Sequence, residues 1–360
     1  MDNSIKVIKQ IESTHSGLGI PLLFGNICEL ANVSCFFIGE KGIGKGTIVK
    51  CIKPTDVVNP KFDVSMWNVT LGQLLTDLST EPVIKEKLIF RVDEWAVLKA
   101  YQRDMYLSVV SEMISDRTFK RTIGSKSGDR MIDVEDCDVM SFVGITPLKF
   151  GNMMTENDNW EAIASDRFVK LCLINPLRCD TIESIPSYEF NPILNIHTVV
   201  PIKSQLTVMK WVLNNQVSDN RLITYCRKLI KAYCKFEGYE SVTIKAESEF
   251  KQLFGTLLSF YPAFIFTQDI EYELQFSVGA FRLLGCICSH DGFKYQDLIE
   301  YFKVYEKTGK ELSYKKMIYD KAKWLENHHF IDIISNSNEP HFYMSKQLSD
   351  YFEWYKSIRK

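Results

Sequence analysis

Residues 35–47 read Cys-Phe-Phe-Ile-Gly-Glu-Lys-Gly-Ile-Gly-Lys-Gly-Thr. An apolar strand runs into a glycine-rich loop with the spacing G-x-x-x-x-G-K from Gly39 to Lys45, and helical sequence follows. Glycines at Gly39, Gly42 and Gly44 allow the backbone to turn its N–H groups inward, and the helix start adds its dipole. This chemistry suits a phosphate chain, with Lys45 reaching the β- and γ-phosphates. The Ser or Thr that usually follows the lysine is replaced by Gly46, with Thr47 next. Either the Thr47 hydroxyl ligates Mg²⁺ or a water does. The alternative, a chance glycine-rich loop, leaves the strand before it and the helix after it unexplained.

A second motif lies about 50 residues downstream. Lys87-Leu88-Ile89-Phe90-Arg91-Val92-Asp93-Glu94 is an apolar strand ending in two acids. Asp93 at the strand end is expected to hold Mg²⁺, and Glu94 to polarise an attacking water. A nucleoside triphosphate and Mg²⁺ are therefore the expected ligands, with Gly39, Gly42, Gly44, Lys45, Gly46 and Thr47 as the nucleotide loop.

The rest of the first 200 residues alternates β-rich runs with helical stretches. Strands are expected at 33–38, 87–92, 139–145 and 168–174, with a further one at 62–69. That alternation predicts an α/β core, a mostly parallel sheet covered by helices. From 203 the pattern becomes helical, over 204–216, 218–236 and 246–260. From 276 it changes again, to helices over 278–290, 294–302 and 313–327, with Ser313 as N-cap. Strands at 330–334 and 341–344 flank a turn at 335–338, and a terminal helix covers 346–360. Three short helices before a β-hairpin make the pattern of a winged helix-turn-helix. The expected division is 1–202, 203–272 and 273–360.

Composition narrows the class. Forty-six per cent hydrophobic and 24% charged residues exclude a disordered or collagen-like chain. A formal net charge of −2 excludes a uniformly basic coat and leaves room for a local basic patch. The ten cysteines are scattered, without zinc-ligand spacing, and most sit in apolar stretches, as free thiols in a reducing compartment do. The polar start has no apolar signal region, and no apolar run approaches the roughly 20 residues of a spanning helix. A cytoplasmic protein is expected.

Two further elements point to a family. Residues 138–146 form another apolar strand, ending at Thr146, and Ala164-Ser165-Asp166-Arg167-Phe168 leads into the strand at 169–174. Here the sequence resembles the AAA+ ATPases over residues 20–240. The phosphate loop, the Asp93-Glu94 pair, a polar residue ending a central strand and an S-x-R-F-type box occur in that family's order. The resemblance implies a P-loop core with an all-helical lid. It makes Thr146 the sensor residue and Arg167 an arginine finger serving the neighbouring subunit of a homo-oligomer, a ring or spiral. Ser218-Asp219-Asn220-Arg221 is similar to the G-D-x-R pattern of a lid, which makes Arg221 a nucleotide contact, with Arg227 as the alternative.

Residues 118–123 and 130–134 read as a hairpin joined by 124–129. It resembles the channel-facing hairpin of the minichromosome-maintenance helicases, in which Lys120, Arg121, Lys126 and Arg130 would meet DNA. The bland alternative is a charged edge hairpin. Lys315, Lys316 and Lys323 of the third C-terminal helix are the expected DNA contacts of the winged helix. The same domain order is found in replication initiators, helicases and helicase loaders, including those of viruses and mobile elements. The expected activity is thus ATP hydrolysis acting on DNA in replication, with a replication protein as partner and no membrane. The alternatives are a nucleotide-switched regulator or signalling adaptor whose winged helix contacts protein, and a transposition or partition accessory factor.

Overall fold

Seven-residue Val139–Ile145 is buried along its whole length, as are Ser34–Ile38, Leu88–Val92 and Phe168–Cys172. Continuous apolar runs of this kind are what a parallel sheet covered on both faces requires. The computed structural model describes residues 1–55, 63–66, 87–106, 110–116, 119–123, 130–135, 137–156, 166–174, 186–192, 200–201, 205–214, 216–260, 283–284, 287, 293–294, 311–336 and 339–359.

In chain order the strands are β1 (Ser34–Ile38), β2 (Asp63–Ser65), β3 (Leu88–Val92), β4 (Phe119–Ile123), β5 (Arg130–Val134), β6 (Val139–Ile145), β7 (Phe168–Cys172), β8 (Val200–Pro201), β9 (Ser241–Val242), β10 (Phe293–Lys294), β11 (Ile331–Asn336) and β12 (Glu339–Met344). The helices are α1 (Asp2–Glu12), α2 (Gly19–Leu30), α3 (Lys45–Cys51), α4 (Ala100–Met105), α5 (Ser111–Asp116), α6 (Pro147–Glu156), α7 (Thr207–Val212), α8 (Asp219–Glu237), α9 (Ile244–Phe250), α10 (Thr256–Ser259), α11 (Glu311–Asn327) and α12 (Lys346–Arg359).

The main sheet has the order β2-β3-β6-β1-β7, with every pairing parallel. β6 therefore lies between the strand that feeds the glycine loop and the strand that ends in Asp93-Glu94. Helix α2 is buried from Gly19 to Glu29, apolar on nearly all sides. It serves as a core element. Gly25 lies against Ile52 and Phe37. Phe24 meets Phe250 and Phe254 of the helical segment at 6.4 and 5.0 Å between ring centroids. Arg91 fixes α3 from below: it pairs with Asp63 at 2.6 Å and donates to the carbonyls of Val49 and Ile52. A cation at the last carbonyls of a helix satisfies orphan acceptors and complements the dipole.

The helical segment holds α7 to α10, with a π-helical turn at Lys251–Gly255 between α9 and α10. The helix expected over 204–216 is shorter. It runs Thr207–Val212, because Leu206 takes a left-handed conformation before it and residues 213–214 form a turn. β8 pairs in parallel with β9, joining residues 200–201 to 241–242.

Near the C-terminus, β10, β12 and β11 form a three-stranded antiparallel sheet, and α11 precedes β11. Three sequence expectations change here. Lys294 belongs to β10, where it pairs with His341, and does not start a helix. Helix α11 spans Glu311–Asn327, so Ser313 lies within it and not at the N-cap position. The strands β11 and β12 extend through Asn336 and from Glu339, so Ser335 and Asn336 are ladder residues. The expected helix at 278–290 is described only at 283–284 and 287, which are helical. Residues 295–302, the turn at 337–338, the 62 and 67–69 ends of the expected second strand, Ala164 and Ser165 of the S-x-R-F box, and Cys179, Cys286 and Cys288 lie outside the described residues. Cys28, Cys35, Cys51, Cys137, Cys172, Cys226 and Cys234 are buried and stand outside any disulfide. No helix among the described residues is long and apolar enough to cross a membrane.

Candidate functional site

The glycine loop leaves β1 at the C-terminal edge of the sheet, the edge at which open α/β folds bind ligands. Gly39 N–H donates to the Ile145 carbonyl at 3.1 Å, which ties the loop entrance to the end of β6. Gly44 caps α3 with φ +95°, and a Cβ there would lie 2.8 Å from Leu18 Cδ2. Only glycine fits both the left-handed backbone and the close neighbour.

Lys45 opens α3 and turns back under the loop. Its side chain is buried, and Nζ donates to the carbonyls of Gly39 at 3.0 Å and Glu40 at 2.9 Å. Glu94 Oε2 lies 3.5 Å away. Burial pushes the Lys45 ammonium below its ordinary value, while Glu94 and Glu40 oppose that shift. Lys45 is thus a buried cation held by two backbone carbonyls and one carboxylate.

The two acids end β3 beside this lysine. Asp93 Oδ2 is held by Lys50 at 2.9 Å. Asp93 Oδ1 and Glu94 Oε1 are both buried and have no hydrogen-bond partner. Buried carboxylate oxygens without partners are costly unless something else satisfies them. Hard oxygen donors of this kind fit Mg²⁺, which takes one or two carboxylates and fills its octahedron with water and phosphate oxygens. Among the described residues, no group of three or more His, Cys, Asp and Glu is placed to hold a metal ion. At position 46 the Cβ direction faces Asp93, 3.9 Å from its Cβ. Thr47 is half-buried and sits one residue on, about 100° further round the helix. Thr146 follows β6 directly, between the glycine loop and the acids in sheet order. Its carbonyl accepts from Phe150 N–H at 2.8 Å, so it also starts α6.

The structure therefore brings Gly39, Gly42, Gly44, Lys45, Gly46, Asp93, Glu94 and Thr146 to one edge. It does not bring Arg167 or Arg221 there. Phe168 pairs with Ser34 at the start of β1, so Arg167 lies at the opposite edge. The four steps from Ser34 to Ile38 alone separate the two edges by about 13 Å. Arg221 donates to the Asp166 carbonyl at 3.3 Å, and Tyr225 Oη donates to the Arg167 carbonyl at 3.0 Å. The expectation that Arg221 contacts the nucleotide of its own chain is corrected. Helix α8 delivers it to the wrong end of β7.

The expected DNA contacts are only partly described. β4 and β5 do form an antiparallel hairpin, with Lys120 opposite Asp133. Lys120 Nζ pairs with that carboxylate at 2.6 Å, which raises its pKa. Arg121 and Arg130 stand in the two strands with side chains outside the described residues, and Lys126 falls outside them altogether. In α11, Lys323 pairs with Glu326 at 2.7 Å and lies over the Tyr319 ring at 5.8 Å. Lys315 and Lys316 are helical, with side chains outside the described residues. Lys321 of the same helix is buried.

Three residues of the site went unnoticed in the sequence. Gly144, inside β6, would place a Cβ 2.3 Å from the Asp93 carbonyl oxygen. A glycine interrupting an apolar strand is the signal of such a close approach. Lys50 carries no motif signal beyond lying on the loop's helix. Glu12, the third, precedes the Ser16-Gly17-Leu18-Gly19 turn; nothing local marks it. Neither a scan against protein-family models nor a search of curated proteins finds a match to this chain.

Proposed function

We propose that this chain is a Mg²⁺-dependent ATPase of the AAA+ type, working on DNA as an assembly of copies. The observation that carries the reading is the convergence of Lys45, Asp93 and Glu94, with the buried lysine 3.5 Å from Glu94 and two carboxylate oxygens unpartnered. In this reading Lys45 leaves the Gly39 and Glu40 carbonyls for the β- and γ-phosphate oxygens. The N–H groups of the loop and of the α3 start hold the remaining charge. Mg²⁺, when bound, neutralises charge on the phosphate oxygens; Asp93 and Thr47 are the residues to hold it. Glu94 takes a proton from water as its oxygen bonds to the γ-phosphorus. The bond from that phosphorus to the β–γ bridging oxygen breaks, leaving ADP and inorganic phosphate. Thr146 orients the attacked group from the end of β6.

The position of Arg167 supports an oligomer. An arginine at the far edge of the sheet has no route to its own loop, so a role at a γ-phosphate requires the loop of a neighbouring copy. The order of β10, α11, β11 and β12 supports a winged helix, and with the hairpin it supports a replication initiator, helicase or loader. One observation favours the second reading, a nucleotide-switched regulator whose C-terminal unit contacts protein. Both described candidate DNA lysines, Lys120 and Lys323, are neutralised by acids of their own elements.

The test is ATP turnover with and without single- and double-stranded DNA, for the wild-type chain and Glu94→Gln. We expect DNA-stimulated turnover that Glu94→Gln reduces at least a hundredfold, about what a general base contributes. Wild-type turnover in Glu94→Gln refutes the catalytic assignment. Turnover indifferent to DNA moves the choice to the regulator. A strictly monomeric Glu94→Gln chain in a sizing run with ATP removes the role of Arg167.

A further inference from the structure

We propose that the C-terminal helix α12 forms the outer wall of the nucleobase site, and that Glu12 couples ATP binding to the seating of that helix. The inference rests on the nucleotide reading above and extends it to a segment some 300 residues from the phosphate loop.

A narrow cleft, partly open to solvent, lies beside the loop. One side is made by Leu18, Ile43 and Leu173, the other by Tyr351, Phe352 and Tyr355 of α12. None of its lining residues is charged. The cleft is continuous with the phosphate loop. Ile43 belongs to the loop, and Leu18 abuts the α-carbon of Gly44. A ligand whose phosphates lie on Gly39–Lys45 therefore carries its attached group to this cleft. An uncharged cleft walled by aromatic rings suits a flat heteroaromatic ring, which gains both burial and stacking there.

One buried carboxylate ties the two walls together. Glu12 Oε2 accepts from Gly17 N–H at 2.9 Å, and Oε1 accepts from Gly19 N–H at 2.7 Å, which shapes the turn that carries Leu18. The same Oε1 accepts from the Tyr355 hydroxyl, and Arg359 Nε lies 3.4 Å from Oε2. Glu12 is thus shared by the loop-side turn and by α12. A base seated in the cleft therefore lies against α12 on one side and that turn on the other. Helix α12 starts two residues after β12, and Ser345 N–H donates to the Phe330 carbonyl at 2.9 Å. A change in α12 consequently reaches the C-terminal sheet. By linkage, whatever holds α12 in place also tightens ATP binding, by the same factor.

The test compares ATP with inorganic tripolyphosphate, which offers the phosphates and no base. In hydrogen exchange on the wild-type chain, ATP is expected to slow exchange over 346–359, and tripolyphosphate is not. Glu12→Gln and Tyr351→Ala are each expected to weaken binding of a fluorescent ATP analogue about tenfold, within what one base–aromatic stack contributes. Their affinity for tripolyphosphate should stay unchanged. Exchange in α12 that ATP leaves unaltered or speeds up overturns the proposal, and this reading needs no variant to fold. If Lys45→Ala abolishes ATP binding in that case, the phosphate loop stands and only the base wall falls. If Lys45→Ala binds ATP as the wild-type chain does, both fall.

Discussion

Gly144→Ala isolates the geometry on which the site depends. Gly144 sits in the centre of the sheet, paired with Phe37 of β1, and its backbone does not take a positive φ. An alanine is therefore free of backbone strain, and the whole effect is steric. Its Cβ would stand 2.3 Å from the Asp93 carbonyl oxygen and 3.2 Å from both Asp93 C and Lys45 Cβ. Ordinary contact begins about 1 Å further out. The first neighbour is backbone, so no rotamer change relieves the clash. Overpacking of this kind costs about 1–3 kcal/mol. The narrower unfolded ensemble of alanine offsets about 0.4–1 kcal/mol of that cost, which leaves a net loss of about 1 kcal/mol. Activity should suffer more than stability. A shift of about 1 Å between Asp93 and Lys45 lowers turnover about a hundredfold. Urea unfolding and ATP turnover measure the two effects, with Gly46→Ala as control, since a Cβ there meets Asp93 only at 3.9 Å. A Gly144→Ala chain with the wild-type urea midpoint and turnover would refute the packing argument.

Three other outcomes follow from the same contacts. Gly46→Ser puts a hydroxyl on the helix position that faces Asp93. The Mg²⁺ concentration for half-maximal turnover should fall; a rise would show that position 46 does not address the metal. Lys50→Ala removes the exposed partner of Asp93. Half-saturating Mg²⁺ should drop about twofold to fivefold with little change in melting temperature, because an exposed pair contributes under about 1 kcal/mol. An increased Mg²⁺ requirement would mean that Lys50 assists the metal. Lys170 is buried in β7, donates to the Gln216 carbonyl, and is pushed down to about 7 by burial, which Asp166 partly opposes. The unfolded chain keeps that proton up to about 10.5, so wild-type stability gains with pH between about 7 and 10.5. The advantage of Lys170→Met in urea midpoint should be largest near pH 7 and shrink toward pH 10; a constant difference contradicts the shift.

The elements that were legible in the sequence are those written in local pattern. The strands at 139–145 and 130–134 appear with the expected bounds, because continuous burial and alternation are visible over five to seven residues. The loop was legible for the same reason, as its glycines answer local backbone demands. The ends of α7 and α11 were not, since a left-handed Leu206 and a helix running past Ser313 depend on what packs around them. The placement of Arg221 was misread because its motif describes the start of a helix and says nothing about which strand end that helix meets.

By itself the sequence determined a glycine-rich strand–loop–helix, an acidic strand end downstream of it, and the strands of an α/β core around them. Those features follow from residue types a few positions apart. Only the tertiary structure decided that β6 stands between the two motif strands, that Gly144 must leave room for Asp93, and that Arg167 and Arg221 lie at the edge remote from the loop. It also decided that Glu12 joins α12 to the turn beside that loop. Parallel pairing and buried polar contacts between residues more than 100 positions apart have no local signature, because their energy exists only once the chain has closed on itself.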